Sequence, residues 1–419
     1  MADPRDAGPG FETVTPRFRL RLTLDPGGPY VPFVPPLRGG GPPLHINDLL
    51  KTATDRGASD LHLKVGSHPV LRINGELIPL VETKRLMQED TIAMAFSIMS
   101  NRQKQKFKDN LEIDIAYSVP GLGRFRCNVF QQRGTVGLVL RGIPVKILTV
   151  RELGLPVVLE KIAQEQRGLI LVTGTTGSGK STSLAAMIDY INSQRTEHII
   201  TIEDPIEFLH RDKKSIVNQR EVEVDTRSFA AALRSALRQD PDVILVGEMR
   251  DYETIETAIT AAETGHLVLS TLHTLDATET INRIIAVFPP HQQKQIRLQL
   301  SGVLKAVISM RLIPRADGHG RVPAVEVMIA TPFIRDCIIN KEKTKLIHEA
   351  IAAGVSQYGM QTFDQSIFQL YKKELISYDE ALRRASNPDE FKLKIQGIQS
   401  TSDIAAEEME KTMQSFDIE

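Results

Sequence analysis

The chain has 419 residues, of which 41% are hydrophobic and 25% charged, with 51 Lys and Arg against 52 Asp and Glu for a formal charge of −1. That length exceeds one ordinary domain and suits two or three, each with its own core. No run of about 18 apolar residues exists to span a bilayer, and the near-zero charge supplies no global basic field for nucleic acid or an anionic membrane surface, leaving room only for a local basic groove.

The two cysteines, Cys127 and Cys337, make neither a disulfide framework nor a four-thiolate zinc site, which fits a reducing cytosol. The opening MADPRDAGPG has no basic stretch leading into an apolar core, so export is not expected. Residues 1–44 hold ten prolines and seven glycines and are expected to form a disordered tail, within which Phe18 to Leu22 alternate like an isolated strand.

From Leu44 the pattern changes. Ile46, Leu49 and Leu50 mark a short amphipathic helix, and DLHLKV (60–65) and PVLRING (69–75) alternate like paired strands. A helical stretch over 91–108 follows, then strands over 113–119, 124–130 and 135–141, and Gly142-Ile143-Pro144 reads as a linker. This predicts an α+β domain over 45–145. Over 146–330, the apolar runs GLILVTG (168–174), HIITIEDP (198–205), DVILVGE (242–248) and HLVLSTLH (266–273) alternate with helical patterns, which predicts an α/β fold with a parallel sheet and crossovers. Residues 331–390 read as a helical region. The stretch from Asn387 to Glu419 carries eight acidic and three basic residues and reads as a solvated helix or a frayed tail, with 391–419 as the acidic tail.

Gly174-Thr175-Thr176-Gly177-Ser178-Gly179-Lys180-Ser181 fits G-x-x-x-x-G-K-[ST] between an apolar strand and a helical pattern beginning near Thr182, the context that the motif requires. The glycines let backbone N–H groups turn toward phosphate oxygens, Lys180 would reach the β- and γ-phosphates, and Ser181 would hold Mg2+. The competing reading is a glycine-rich turn without a ligand.

Nucleotide hydrolysis also needs acidic groups to manage water and metal. Glu248 ends an apolar strand at the carboxyl edge of the sheet and is best placed to orient water. Glu203, Asp204 and Glu207 crowd the end of another strand, as site carboxylates or as turn residues on a solvated rim. Asp242 opens its strand and reads as a turn residue. His273 closes a strand at the same edge, able to sense a γ-phosphate or simply satisfied locally, whereas His266 sits at the opposite end. In the first domain, Phe125, Cys127 and Val129 share one strand face while Arg124, Arg126 and Asn128 share the other, expected to be exposed. Arg124, Arg126 and Arg141, which ends the next strand, are candidates to complete a neighbouring site or form a solvated sheet face.

These motifs converge. SDLHL (59–63), GTTGSGKST (174–182), TIEDPIEF (201–208), LRQDPDVILVGEMRD (237–251), ETGHLVLSTLHT (263–274) and GMQTFDQS (359–366) occur in one chain. From about Leu44 to Phe391 the chain resembles the type IV pilus retraction ATPases, the PilT-like twitching-motility motors of the secretion-ATPase superfamily.

The resemblance implies a PAS-like first domain, a flexible linker and a RecA-like ATPase domain assembled as a homo-hexamer that uses ATP and Mg2+. It also implies a cytoplasmic motor, peripheral at the inner membrane through a platform protein of the pilus machinery, with no nucleic-acid partner. By the same resemblance Lys180 stands as the Walker A lysine and Glu248 as the Walker B glutamate. Glu203, Asp204 and Glu207 fall in the acidic box, His273 in the histidine box, and Arg124, Arg126 and Arg141 among the arginines directed at nucleotide; Ser181, Glu203, Asp204 and Glu248 are the implied metal residues. Thr175, Leu275, Phe333, Asp336 and Cys337 depart from the family pattern. Sibling assembly motors carry an extra amino-terminal domain and a four-cysteine zinc site, so two cysteines favour retraction. An accessory or assembly ATPase, a RecA-like nucleic-acid motor and a nucleotide-sensing ring without turnover are the alternatives.

Overall fold

The computed structural model describes residues 44–396, apart from 74 and 145. The expected amino-terminal tail with its Phe18–Leu22 strand, and the acidic tail from 397 onward, lie outside the described residues.

The first half builds an antiparallel sheet. Helix α1 (Ile46–Asp55) buries Ile46, Leu49, Leu50 and Ala53, the predicted stripe. It leads to β1 (Asp60–Leu63), β2 (Val70–Ile73) and β3 (Glu76–Pro79), then α2 (Gln88–Ser97), α3 (Asn101–Asn110), β4 (Glu112–Val119), β5 (Gly123–Gln132) and β6 (Thr135–Ile143). The sheet order is β3-β2-β1-β6-β5-β4, and every pairing is antiparallel. The helical stretch expected over 91–108 consists of two helices, because Ser100 starts a new one: its hydroxyl accepts from the Gln103 N–H while Gln103 reaches back to the Ser100 N–H. The expected linker also shifts, since Gly142 and Ile143 belong to β6, pairing with Phe125 and Arg124.

The second half builds a mixed sheet. Helix α4 (Val158–Ala163) precedes β7 (Gly168–Thr173), α5 (Lys180–Gln194), β8 (His198–Glu203), β9 (Ile216–Glu221), α6 (Phe229–Ala236), β10 (Val243–Val246), α7 (Tyr252–Glu263), β11 (Leu267–Leu272), α8 (Ala277–Val287), α9 (Gln293–Val303), β12 (Leu304–Pro314) and β13 (Arg321–Ile329). The order is β13-β12-β7-β11-β10-β8-β9, parallel from β12 to β9 with β13 antiparallel at the edge. Alternate residues of the central strands face opposite layers. Leu169, Leu171, Ile244, Val246 and Val268 pack under α6 to α10, where α10 is Pro332–Ile339, while Ile170, Val172, Val243, Leu245 and Leu269 pack under α4 and α5. Burial on both faces explains why these strands read as continuous apolar runs.

A helical region follows, with a 3-10 turn (Lys341–Leu346), α11 (Ile347–Ala353), α12 (Val355–Tyr358), α13 (Phe363–Lys372), α14 (Tyr378–Arg384) and α15 (Pro388–Ile395). Phe391, at the head of the expected solvated tail, is 2% exposed and meets Phe368 edge-on at 6.1 Å. That one aromatic anchors α15 to the core, while the rest of the helix is exposed or half-buried. Among the described residues, no helix is long and apolar enough to cross a membrane.

Candidate nucleotide site

Strands β7, β11, β10 and β8 lie side by side and parallel, so their carboxyl ends deliver four segments to one edge: the glycine-rich loop, His273, Glu248 and the 203–207 turn. Ligands of open α/β sheets bind at this edge.

The loop leaves β7 at Gly174, whose φ of 138° favours glycine and whose added Cβ would lie 2.5 Å from the Met310 carbonyl and 2.6 Å from Ser178 Oγ. Gly177 (φ 78°) borders open space, and Gly179 (φ 98°) is the residue before α5, which begins without a side-chain cap. Thr175, Thr176, Gly177 and Ser181 are exposed and Thr182 half-buried, while Ser178 is buried with its hydroxyl unpartnered among the described residues. Lys180 is buried, its Nζ donating to the carbonyls of Gly174 (2.8 Å) and Thr175 (2.9 Å). Burial pulls its ammonium below the ordinary lysine range, and the Glu248 carboxylate opposes that shift, which sets the two charges within each other's field. A curled loop with an uncapped helix start and a lysine drawn over it fits a phosphate group. Gly174→Ala should therefore lower stability by about 1–3 kcal/mol through backbone strain alone. It should also weaken nucleotide binding, as read by thermal melting and fluorescent-nucleotide titration; unchanged binding would show that the curl is dispensable.

Glu248 follows β10 by two residues. The turn before it is tight: a Cβ on Gly247 would lie 3.2 Å from the Ile202 carbonyl, and the Gly247 carbonyl accepts from Thr271 Oγ1 at 2.6 Å. The Glu248 carboxylate meets His273 Nε2 at 3.1 Å and pairs with Arg250, so acid, imidazole and guanidinium form one group across adjacent strand ends. Arg250 was not a sequence candidate, although it stands in the same GEMRD block.

Glu203 ends β8 but points inward. At 8% exposure, it accepts from Thr201 Oγ1 (2.6 Å), the Glu207 N–H (3.2 Å) and Gln219 Nε2 (3.2 Å), and burial raises its carboxyl above the usual range. Asp204 and Glu207 are exposed on the turn. Asp242 receives the His198 N–H at 2.8 Å and His266 bonds the Ala261 carbonyl at 2.8 Å, both at the far end of the strands.

The arginine face is not uniformly exposed. Arg124 reaches the second sheet, its Nη2 3.1 Å from the buried carboxylate of Glu221 on β9, which also takes the Ile206 N–H at 3.3 Å. Glu221 had no sequence signal, lying in the polar run IVNQRE. Arg126 is half-exposed, 3.8 Å from Asp114, and Arg141 holds buried Asp60 at 2.8 Å while two-thirds of its side chain stays exposed. Among the described residues, no group of three or more His, Cys, Asp or Glu is arranged to hold a metal by itself.

A strand, phosphate-type loop and helix in a 1-4-3-2-like parallel core, with a carboxylate two strands away, define a RecA-like nucleotide-binding protein; the antiparallel sheet before it is PAS-like. The family described as Type II/IV secretion system protein matches residues 43–383, and the chain belongs to that family. It is 49% identical over 348 residues to the "Type IV pilus retractation ATPase PilT" of Pseudomonas aeruginosa, covering 83% of this chain and 100% of the relative. It is 43% identical over 361 residues to the "Type IV pilus ATPase PilU" of the same organism, covering 86% and 94%. Among solved structures, the pilus retraction motor PilT with bound ADP matches with a TM-score of 0.77 at 50% identity, over 83% of this chain and 98% of that one.

Proposed function

We propose that this chain hydrolyses ATP and, as a ring of six, converts that cleavage into type IV pilus retraction. The observation that carries the reading is the convergence of the Lys180 loop, His273 and Glu248 on neighbouring strand ends, in a chain 49% identical to a pilus retraction ATPase along that relative's whole length.

In this reading Gly174 to Thr182 hold the phosphates through backbone N–H groups, and Lys180 leaves its loop carbonyls to meet the β- and γ-oxygens. Glu248 orients the attacking water, with His273 beside it to sense the γ-phosphate. Mg2+ typically keeps several waters and takes one or two carboxylates together with substrate phosphates. Ser181 and one or both of Asp204 and Glu248 suit that donor set, whereas Glu203, turned inward and already hydrogen-bonded, does not, and the ion would neutralise charge on the departing phosphate. Loss of the γ-phosphate releases one arrangement of the two domains, divided near 145/146 with the helical region from 331, and differential affinity for ATP and product shifts the population. The ring would stand in the cytoplasm, docked on an inner-membrane platform protein. The 43% identity to a second pilus ATPase keeps an accessory role in the same machinery as the second reading.

Arg124 is largely buried against Glu221, whereas Arg126 and Arg141, although paired with Asp114 and Asp60, keep about half and two-thirds of their side chains exposed and so can still complete a neighbouring protomer's site. With purified Mg-ATP-loaded protein, Arg126→Ala should lower kcat for phosphate release at least about tenfold while nucleotide affinity stays within about threefold. Equal loss of both, or full turnover by a monomer, would contradict a shared site.

A further inference from the structure

The deepest carboxylate near the site belongs to none of the motifs. Glu326 lies mid-strand on β13, opposite Ser309 of β12, and is 3% exposed. Its Oε1 accepts the backbone N–H of Ala277, the first residue of α8, at 2.9 Å. Burial pushes its carboxyl up to about 7; the Ala277 hydrogen bond and the Arg311 guanidinium on β12 oppose that, while Asp276 before α8 and Asp364 on α13 reinforce it. Burying a carboxyl costs desolvation that an apolar side chain would not incur, so a carboxyl there that takes a backbone N–H points to a specific use.

What it holds is informative. Only Thr274, Leu275 and Asp276 separate Ala277 from His273. Those three are bound to α8 itself: Thr274 Oγ1 meets Thr280 Oγ1 at 2.6 Å, the Leu275 N–H donates to Glu279 at 2.8 Å, and Asp276 accepts the Glu279 N–H at 2.7 Å. The loop therefore moves with the helix start, and the helix start is tied to β13 by Glu326. At the other end, His273 lies 3.1 Å from Glu248.

We propose that Glu326 is a positioning residue for nucleotide turnover: its buried carboxyl fixes the start of α8 and so the place of His273 against Glu248. This rests on the ATPase reading above.

The test uses the full chain, with kcat and KM from phosphate release at varied ATP and folding checked by circular dichroism and melting. Glu326→Asp draws the acceptor back by one methylene and should cut kcat at least about tenfold with KM within about threefold. Glu326→Gln keeps an acceptor oxygen and should stay within about threefold of wild type. In a double-mutant cycle, Glu326→Asp should add nothing to the loss already caused by His273→Ala. A titration signature accompanies these. Because the folded carboxyl binds its proton more tightly than the unfolded one, the associated stability is present below the ordinary 4.5 and lost as pH rises through about 7. The melting temperature of Glu326→Gln relative to wild type should therefore rise between about pH 5 and pH 8. A folded Glu326→Asp with wild-type kcat, losses that add to those of His273→Ala, or a Glu326→Gln as slow as Glu326→Asp would overturn the positioning role. Absence of phosphate release from wild type would overturn the ATPase reading and this role together.

Discussion

Lys180→Ala should abolish measurable turnover, lowering kcat by about 10²–10³ or more, and should weaken ATP binding while leaving the fold intact. The magnitude follows from the removal of a preorganised cation that meets charge developing on the phosphates. The fold should tolerate the change because the ammonium is buried at a desolvation cost and its hydrogen bonds go to the Gly174 and Thr175 carbonyls, which water can satisfy. Steady-state phosphate release, fluorescent-nucleotide titration and thermal melting separate these effects. Turnover within about threefold of wild type would remove the loop from the chemistry.

Glu248→Gln should have a comparable effect on kcat, by about 10²–10⁴, but little on affinity. The amide keeps the size of the side chain and its contact with His273, yet it cannot accept a proton from water or balance the Lys180 charge. Nucleotide affinity should stay within about threefold, since the phosphates are held mainly by the loop. A variant that loses affinity and rate equally would make Glu248 a binding group instead.

Much of this was legible in the sequence because burial and chemistry coincide in the pattern. β7, β8, β10 and β11 are buried on both faces, so they stand out as apolar runs, and each leads within one or two residues into a segment that stands at the site edge. The alternation in β5 likewise placed Phe125, Cys127 and Val129 in the core. What escaped had no local signature. β9 is an edge strand of mostly polar composition, and β12 and β13 form a hairpin whose run follows a helix without a clear break. Glu221 and Glu326 matter through partners far away in the chain, Arg124 and Ala277, a relation that exists only after folding. The inward turn of Glu203 was hidden for the same reason: Gln219, on the neighbouring strand, supplies one of the hydrogen bonds that hold it.

The measurement that bears most directly on coupling between cleavage and movement is pilus retraction in cells whose only copy carries Glu248→Gln. Such cells should hold normal amounts of the protein, display surface pili and fail to retract them. Retraction at the wild-type speed would contradict ATP cleavage at Glu248 as the source of the motion.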